Sequence, residues 1–338
     1  MPTLQVARIP RCDPARFARI EAGLLLHGWP KPLLVVAGLG EPALLLGRHQ
    51  RARSAVDVER ARALGLPIVR RAGGGRSLLV GDGVVGAFLF VPFSDPLVHG
   101  AVPADRLLNR YVRGLLAGLR TAGARSAAYL GRDCVCADGR QLGLVSQEAT
   151  ASGGAAFEAL VALSRPLPVP HELTRYPRQR DPRDSGPRAV SLEQVAGRPV
   201  AFDALATALE LGYGAAHERE PVHAAGLLPE APLPAADEDE TGFAESGLVE
   251  VPIGFAEALV RHEGGRVLRG RLRGDFIAPA FVLAGLEADL DGAPLVFGEL
   301  GRRVDTAFSH PGAFMHGVRE LRVLADAVLA AAGAPAAA

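Results

Sequence analysis

A glycine-rich loop between two apolar segments is the feature that most constrains the fold of this chain. Residues 67–71 form a short strand-like run that ends in Arg70 and Arg71, and three glycines follow at residues 73–75. A second apolar run occupies residues 84–92. Glycines after a strand let backbone N–H groups approach an anion closely, and paired arginines add charge-assisted hydrogen bonds. The loop is therefore either an anion-binding site or a flexible turn, and alone it does not decide between them.

Strand-like and helix-like patterns are mixed along the rest of the chain. Short apolar runs predict strands, and they lie at residues 33–37, 43–46, 128–137, 140–147 and 157–164. Asp138-Gly139 is a strong hairpin signal between two of them. Apolar residues recur with helical period after Pro103, and Ser191 and Pro279 mark the starts of further helices. Residues 264–276 resemble a hairpin-like pair. The order predicts an α+β fold without strict strand–helix alternation.

The length of 338 residues allows two domains. A segment rich in proline, alanine and acidic residues begins near residue 218 and is the best candidate for a linker. We therefore expect a first domain at residues 1–225, a linker at 226–247 and a smaller α+β domain at 248–338.

Composition narrows the classes of partner. The formal net charge is zero, which argues against nucleic acid or an anionic membrane held by bulk electrostatics. No apolar run reaches the ~18 residues of a membrane span, and the start of the chain lacks the apolar core of a signal peptide. We expect a soluble, cytoplasmic protein. Its three cysteines suit neither a disulfide framework nor a metal site, and Lys31 is the only lysine among 37 basic residues.

The motifs, taken in order, resemble the lipoate–protein ligase A family. The segments that carry the resemblance are Gly47-Arg48-His49-Gln50, similar to a Gly-Arg-x-Gln strand end; Arg70 to Gly75, similar to Arg-Arg-x-x-Gly-Gly-Gly; Arg132-Asp133, similar to Asn-Asp; residues 138–147, similar to a lysine-containing hairpin; and Gly274-Asp275-Phe276, similar to the signature of an accessory C-terminal domain. Each motif is modest, but together they cover most of the chain.

The resemblance implies a biotin/lipoate ligase-like fold of mixed sheets flanked by helices. It also implies an activity: lipoate or octanoate reacts with ATP and Mg²⁺ to give an acyl-adenylate, and no cofactor stays permanently bound. The acyl group then passes to a lysine on the lipoyl carrier domain of a 2-oxoacid dehydrogenase or on the glycine cleavage H protein. The residues it assigns to acyl-adenylate binding are Arg48, His49, Arg70, Arg71, Gly73, Gly74, Gly75, Arg76, Asp133, Arg140 and Gln147.

Several positions depart from the family pattern. Gln141 stands where the family has the hairpin lysine that stabilises negative charge developing in the reaction. Arg76 and Leu79 replace a small residue and a histidine after the glycines, and residues 157–160 lack the family's His-Gly-Thr. Three hypotheses remain open. The protein is a ligase that tolerates Gln141, a non-catalytic pseudo-ligase, or an acyltransferase that uses Cys134, whose simpler interpretation is a small core residue.

Overall fold

The computed structural model describes residues 2–98, 102–175, 188–235, 240–243 and 247–333. The described strands, numbered in chain order, are β1 (Thr3–Cys12), β2 (Leu33–Leu39), β3 (Ala43–Leu46), β4 (Ile68–Arg70), β5 (Leu78–Val80), β6 (Val84–Val91), β7 (Ala128–Tyr129), β8 (Cys134–Ala137), β9 (Arg140–Ala149), β10 (Ala155–Ala162), β11 (Glu220–His223), β12 (Gly247–Val251), β13 (Gly254–Glu263) and β14 (Arg266–Gly274). The described α-helices are α1 (Pro14–His27), α2 (Ala52–Ala55), α3 (Val58–Ala63), α4 (Ala104–Ala122), α5 (Leu192–Ala196), α6 (Phe202–Ala216), α7 (Ala280–Asp289), α8 (Phe297–Ala307) and α9 (Val323–Ala331).

The chain has the expected α+β architecture, built on a mixed eight-stranded sheet in the order β11-β1-β2-β6-β10-β9-β8-β7. Strand β1 runs parallel to both β11 and β2, and the pairings from β2 to β7 are antiparallel. A small sheet, β4-β3-β5, carries the start of the glycine loop at its edge. The β8–β9 turn confirms the predicted hairpin, because Asp138 and Gly139 both have positive φ.

Helices cover both faces of the large sheet. Helices α4 and α6 pack together on one face, where Gly118 lets the two backbones approach: a Cβ there would lie 2.8 Å from Leu209 Cα. Helix α1 covers the other face with Phe17, Ile20 and Leu24, all fully buried. The glycine loop reaches the face that α1 covers.

A separate core fills the C-terminal part of the chain. It joins buried residues between Val251 and Ala331 from the sheet β12-β13-β14 and the helices α7, α8 and α9. This core gives the C-terminal part of the described chain its own packed interior, and we call residues 247–333 the C-terminal domain. The boundaries at residues 225 and 248 stay a prediction. The proposed linker is partly packed, because the Ala231 amide donates to the Arg19 carbonyl at 3.0 Å. Residues 236–239 and 244–246 of that segment lie outside the described residues.

Two predictions of secondary structure need correction, and several elements were missed. The strand expected at 128–137 is two short strands, separated by a turn at Gly131 and Arg132, which both have positive φ. The pair expected within 264–276 is wrong in position, because residues 264–265 form the turn and the partner strand β13 precedes them. The unpredicted elements are β1, β5, β11, β12, β13, α1, α2 and α8. No helix in the described part of the chain is both long and apolar enough to cross a membrane.

Candidate functional site

The glycine loop folds back against the turn that follows β3. The Arg48 amide donates to the Gly73 carbonyl at 2.9 Å, and the Arg71 amide donates to the Leu46 carbonyl at 3.0 Å. Gly47 must be glycine, because a Cβ there would lie 1.9 Å from the Gly75 carbonyl oxygen. The two sequence motifs, Gly-Arg-His-Gln and Arg-Arg-Ala-Gly-Gly-Gly, therefore form one folded unit.

Arg70 holds this unit together from inside. Its side chain is 2 % exposed, and its Nη1 donates to the carbonyls of Arg48 at 3.0 Å and Gln50 at 2.5 Å. Its Nε donates to the carbonyl of Ala235, within the proposed linker, at 3.1 Å. Buried carbonyl groups need donors, and one guanidinium here serves several of them.

Arg71 fixes the curvature of the loop. Its guanidinium donates to the Gly74 and Arg76 carbonyls, and its Nε lies 2.9 Å from Glu158 Oε2 on β10. Both side chains of this ion pair are at most 3 % exposed. Burial raises the pKa of Glu158, and the Arg71 guanidinium opposes that rise. Burial and the nearby Glu158 raise the pKa of Glu21, on α1, well above its ordinary value.

The three glycines of the loop pack against protein atoms. A Cβ on Gly73 would lie 2.5 Å from Ser146 Oγ, and one on Gly74 would lie 2.6 Å from the Phe276 carbonyl oxygen. Gly75 has φ +88 and donates its amide to the same Phe276 carbonyl at 3.0 Å. Close approach therefore requires glycine here, and on one side the approaching group is the C-terminal domain itself.

The C-terminal domain contacts the loop through residues 274–278. The Gly274 amide donates to the His49 carbonyl at 2.9 Å, and His49 Nε2 lies 2.8 Å from the Ala278 carbonyl oxygen. The His49 ring stacks on Phe276, with ring centroids 5.4 Å apart. Burial lowers the pKa of His49 to about 3, so the ring is neutral and donates that hydrogen bond. His49 therefore lies at the contact between the two domains.

Arg76 crosses from the loop to β8. Its Nε donates to Asp133 Oδ2 at 2.8 Å and its Nη2 to Asp133 Oδ1 at 3.2 Å, a two-bond pairing with little solvent exposure. The Asp133 carbonyl in turn accepts from the Val145 amide of β9 at 2.9 Å. The pair ties the loop to the hairpin.

A narrow void lies between the loop and the β9–β10 strands. The space left between the packed side chains there is too tight to admit a water molecule. Leucines at 78, 144 and 160 supply apolar walls, while Arg71, Asp133, Ser146 and Glu158 supply polar groups. Apolar walls beside a guanidinium suit a carboxylate on a hydrocarbon chain once the surrounding residues move apart.

Some of the residues that sequence assigned to the site lie away from this void. Gln141 is buried at the start of β9, where its backbone N–H donates to the Arg188 carbonyl at 2.8 Å. Gln147 Nε2 donates to the Ala104 carbonyl at 3.4 Å, on the face that α4 covers. Arg140 is 43 % exposed and faces Asp138, whereas Arg48 lies 3.6 Å from the buried Glu148. The loop residues and Asp133 come together, while Gln141, Arg140 and Gln147 do not line the void.

Two buried glutamates were missed as members of the site. Glu158 interrupts an apolar strand, and Glu148 Oε1 accepts from the amide of Ala280, the first residue of α7, at 3.0 Å. Burial raises the pKa of Glu148 to about 7. A charged residue inside an apolar strand requires a buried partner, and that signal was available in the sequence.

The remaining reactive side chains give no nucleophile with an obvious base. Cys134 Sγ and Cys136 Sγ lie 3.2 Å apart as free thiols. Burial and the bond with Cys136 raise the pKa of Cys134. Lys31 lies at the exposed start of β2. Among the described residues, no cluster of three or more His, Cys, Asp or Glu side chains could hold a metal ion.

Two curated proteins resemble the chain in sequence, although no family model matches it. Octanoyltransferase LipM of Moorella thermoacetica is 33 % identical over 124 residues, which is 36 % of this chain and 44 % of that protein. The chain therefore matches less than half the length of this relative. Octanoyltransferase LipM of an Exiguobacterium species is 26 % identical over 238 residues, which is 62 % of this chain and 85 % of that protein.

Solved structures resemble the fold over a larger share of the chain. LipL1 of P. falciparum, solved in complex with lipoate, has a TM-score of 0.66 at 11 % identity and covers 90 % of this chain and 94 % of its own. A lipoate–protein ligase A solved with ATP has a TM-score of 0.51 at 14 % identity, covering 66 % and 88 %. A bipartite lipoate–protein ligase of Thermoplasma acidophilum, described with its E2 lipoyl domain, has a TM-score of 0.53 at 12 % identity, covering 67 % and 88 %. The chain therefore has the fold of these lipoate–protein ligases.

Proposed function

We propose that the protein attaches a lipoyl- or octanoyl-type acyl group to a lysine of a lipoyl carrier domain through an acyl-adenylate. The observation that carries the proposal is the narrow void, where apolar walls meet Arg71, Asp133 and the glycine loop. In this proposal Leu78, Leu144 and Leu160 contact the hydrocarbon chain, and the acyl carboxyl group faces the charged edge.

Arg76 is the residue that we assign to the charge-stabilising role of the missing lysine. It is positively charged at any physiological pH, and Asp133 holds it beside the void with two hydrogen bonds. A fixed cation at this place stabilises negative charge that develops on a phosphate or a carbonyl oxygen. Because Asp133 partly neutralises it, we expect weaker assistance than from an unpaired lysine.

The named relatives support the substrates in this proposal. Two are octanoyltransferases, one solved structure holds lipoate, one holds ATP, and one is described with an E2 lipoyl domain. We therefore propose ATP and lipoate or octanoate as substrates and a lipoyl domain as the acceptor. Mg²⁺ would accompany the nucleotide, because it binds readily through phosphates and retains several waters. The void is too tight for an acyl chain as it stands, so binding requires the loop or residues 274–278 to move.

A second candidate function is a non-catalytic pseudo-ligase that binds the acyl group, the nucleotide or the carrier domain. One observation favours it: Gln141 carries no charge, and each of the two arginines nearest the void is paired with a carboxylate. In that case Arg76 replaces the charge of the family's lysine only in part.

The direct test mixes the protein with ATP, Mg²⁺, lipoate or octanoate, and an unmodified lipoyl domain, and follows the carrier mass. The proposal expects an acylated carrier, with a loss of rate on the order of 100-fold in Arg76→Ala, the size typical of removing one charge-stabilising group. Arg62→Ala is the matched control, because Arg62 is an exposed helix arginine that pairs with Glu59 on the same helix.

Each outcome selects one hypothesis. No acylation at high enzyme concentration overturns the ligase proposal. Calorimetric binding of acyl group, ATP or carrier under those conditions then supports the pseudo-ligase, and absence of all binding excludes it as well. Acylation that needs no ATP and is lost in Cys134→Ser would instead identify the thiol as nucleophile, against the raised pKa of Cys134.

A further inference from the structure

Two thiols lie side by side on one face of β8. Cys134 Sγ and Cys136 Sγ are 3.2 Å apart. The residues that alternate with them, Val135 and Ala137, belong to the core under α4. Because side chains alternate across a strand, the cysteines face the opposite side of the sheet. That is the side of Leu144, which pairs with Cys134 across the ladder and lines the narrow void.

The local backbone brings these thiols within reach of a covalent bond. The register of β8 against β9 shifts between Val135 and Cys136, because Leu142 of β9 has no partner on β8. In a regular strand, residues i and i+2 are about 6.5 Å apart, which lies within the range of Cα separations found in disulfides, near its upper limit. The residue opposite Cys136 on β7 is the small Ala128. A disulfide needs an approach of only about 1.2 Å.

We propose that Cys134 and Cys136 form a modification site at which a small-molecule disulfide, such as glutathione disulfide, oxidises the pair to an intramolecular disulfide. The Cys134 thiolate attacks one sulfur of the small disulfide, which releases one thiol and leaves a mixed disulfide. The Cys136 thiolate then attacks the Cys134 sulfur and releases the second thiol. Two protons leave the protein, and two electrons reduce the small disulfide. Cys134 reacts first because it is half-buried, whereas Cys136 is buried.

The two steps differ in rate. Burial raises the pKa of Cys134, so only a small fraction of this thiol is ionised at neutral pH. The rate of the first step therefore rises about tenfold with each unit of increasing pH, as long as the pH stays below that pKa. The second step is intramolecular between sulfurs that already touch, so the mixed disulfide does not accumulate. This chemistry is independent of the acyl transfer proposed above. The disulfide would lie next to the void, because Cys134 directly follows Asp133, whose carboxylate accepts a hydrogen bond from Arg76.

Intact mass spectrometry of the full-length protein tests the proposal. The folded protein is incubated with glutathione disulfide at about pH 8.5, where more of the Cys134 thiol is ionised than at neutral pH. We expect a loss of two hydrogens, a fall from three titratable thiols to one after denaturation, and a crosslink between Cys134 and Cys136 in the peptide map. Cys12→Ser is the matched control and should form the same bond.

The variant Cys136→Ser distinguishes two thiols that react together as a pair from two thiols that react independently. It should instead keep a stable glutathione adduct on Cys134, with folding checked by circular dichroism. A stable adduct on the unaltered protein overturns the proposal. So does oxidation that occurs only when the protein is unfolded in urea, because the folded contact would then have no part in it.

Discussion

The glycine loop has two faces that meet very different surroundings. On one face, Gly74 and Gly75 meet the backbone of Phe276 from the C-terminal domain. On the other, Gly73 and Arg71 meet Ser146 and Glu158 beside the narrow void. The first face is closed by backbone hydrogen bonds and tight contacts, the second by a buried ion pair. The glycine triplet, which the sequence predicts to bind a ligand, thus also forms a packing surface for the C-terminal domain.

The buried ion pair on the void side should give the largest effect. Glu158→Gln leaves the Arg71 guanidinium without its carboxylate, and breaking such a buried pair costs about 3–5 kcal/mol of unfolding free energy. Urea unfolding followed by the fluorescence of Trp29, the only tryptophan, measures the loss in the first domain. Arg62→Gln, in the exposed pair with Glu59, should cost about 0.5 kcal/mol or less.

The double replacement Arg71→Met with Glu158→Leu sharpens this result. Removing both charges together should recover much of the stability that Glu158→Gln loses, because no buried charge is then left alone. A double variant as unstable as the single one would show that the other hydrogen bonds of Arg71, to Gly74 and Arg76, matter more than its ion pair.

The domain-contact side should respond to pH through Glu148. Burial raises the pKa of Glu148 from 4.5 to about 7, so the folded state binds more protons and the carboxyl's contribution to stability is lost as pH rises through 7. Glu148→Gln keeps an acceptor for the Ala280 amide and does not titrate. Its stability relative to the parent should therefore improve by up to about 3 kcal/mol between about pH 4.5 and pH 8.

Comparison of the parent with the Glu148→Gln variant isolates the contribution of Glu148. The pKa of His49 is lowered to about 3, so both proteins lose stability through this residue as pH falls below 6.5, and its contribution cancels in the difference. Chemical denaturation at a series of pH values gives both curves. Parallel curves would contradict an ionising Glu148 at the start of α7.

Tight packing on the domain-contact side predicts a moderate loss for Gly74→Ala. The new Cβ would lie 2.6 Å from the Phe276 carbonyl oxygen and 2.9 Å from Ile277 Cα, and backbone atoms cannot move aside cheaply. We expect a cost of about 1–3 kcal/mol in urea unfolding followed by circular dichroism. Gly285→Ala, in α7 with nothing within 4 Å, should stabilise by about 0.5–1 kcal/mol. Equal effects at both glycines would refute the packing explanation.

The smallest effect is expected at Ser146, which contacts the Gly74 carbonyl oxygen where the two faces of the glycine loop meet. Ser146 Oγ donates to the Gly74 carbonyl at 3.1 Å, and Arg71 donates to the same oxygen. Ser146→Ala leaves that carbonyl with a donor, so the cost should be about 0.5–1.5 kcal/mol by the same denaturation assay. A loss as large as that of Glu158→Gln would mean that the serine, and not the ion pair, closes the void side.

Local patterns predicted much of the first domain. The strongly apolar β2 and β6 and the amphipathic α4 were recognisable because each buries one continuous surface. Strand β1 was missed because Arg8 and Pro10 break its apolar alternation, and its partner β11 lies near the far end of that domain. Pairing across such a separation leaves no local trace in sequence.

The site was predictable only in its outline. Arg71, Arg76, the glycines and Asp133, which the order of motifs grouped, lie together in the structure, because strand ends and hairpins fix them locally. Their role in binding stays a prediction. Sequence could not show that Phe276 lies on Gly74, or that Glu158 neutralises Arg71, because both contacts depend on how separate elements pack. Gln141 illustrates the same limit: its alignment with the family's lysine was clear, but its distance from the void was not.

The contact between loop and C-terminal domain also sets an order of events during synthesis. Gln50 and its partner Asp275 are 225 residues apart in the chain. At about 5–20 residues per second, the ribosome makes the second partner on the order of 10–45 s after the first. For that interval the nascent loop has its arginines and glycines but not the segment that covers Gly74. A chaperone or an early-binding ligand would meet this uncovered loop only while translation continues.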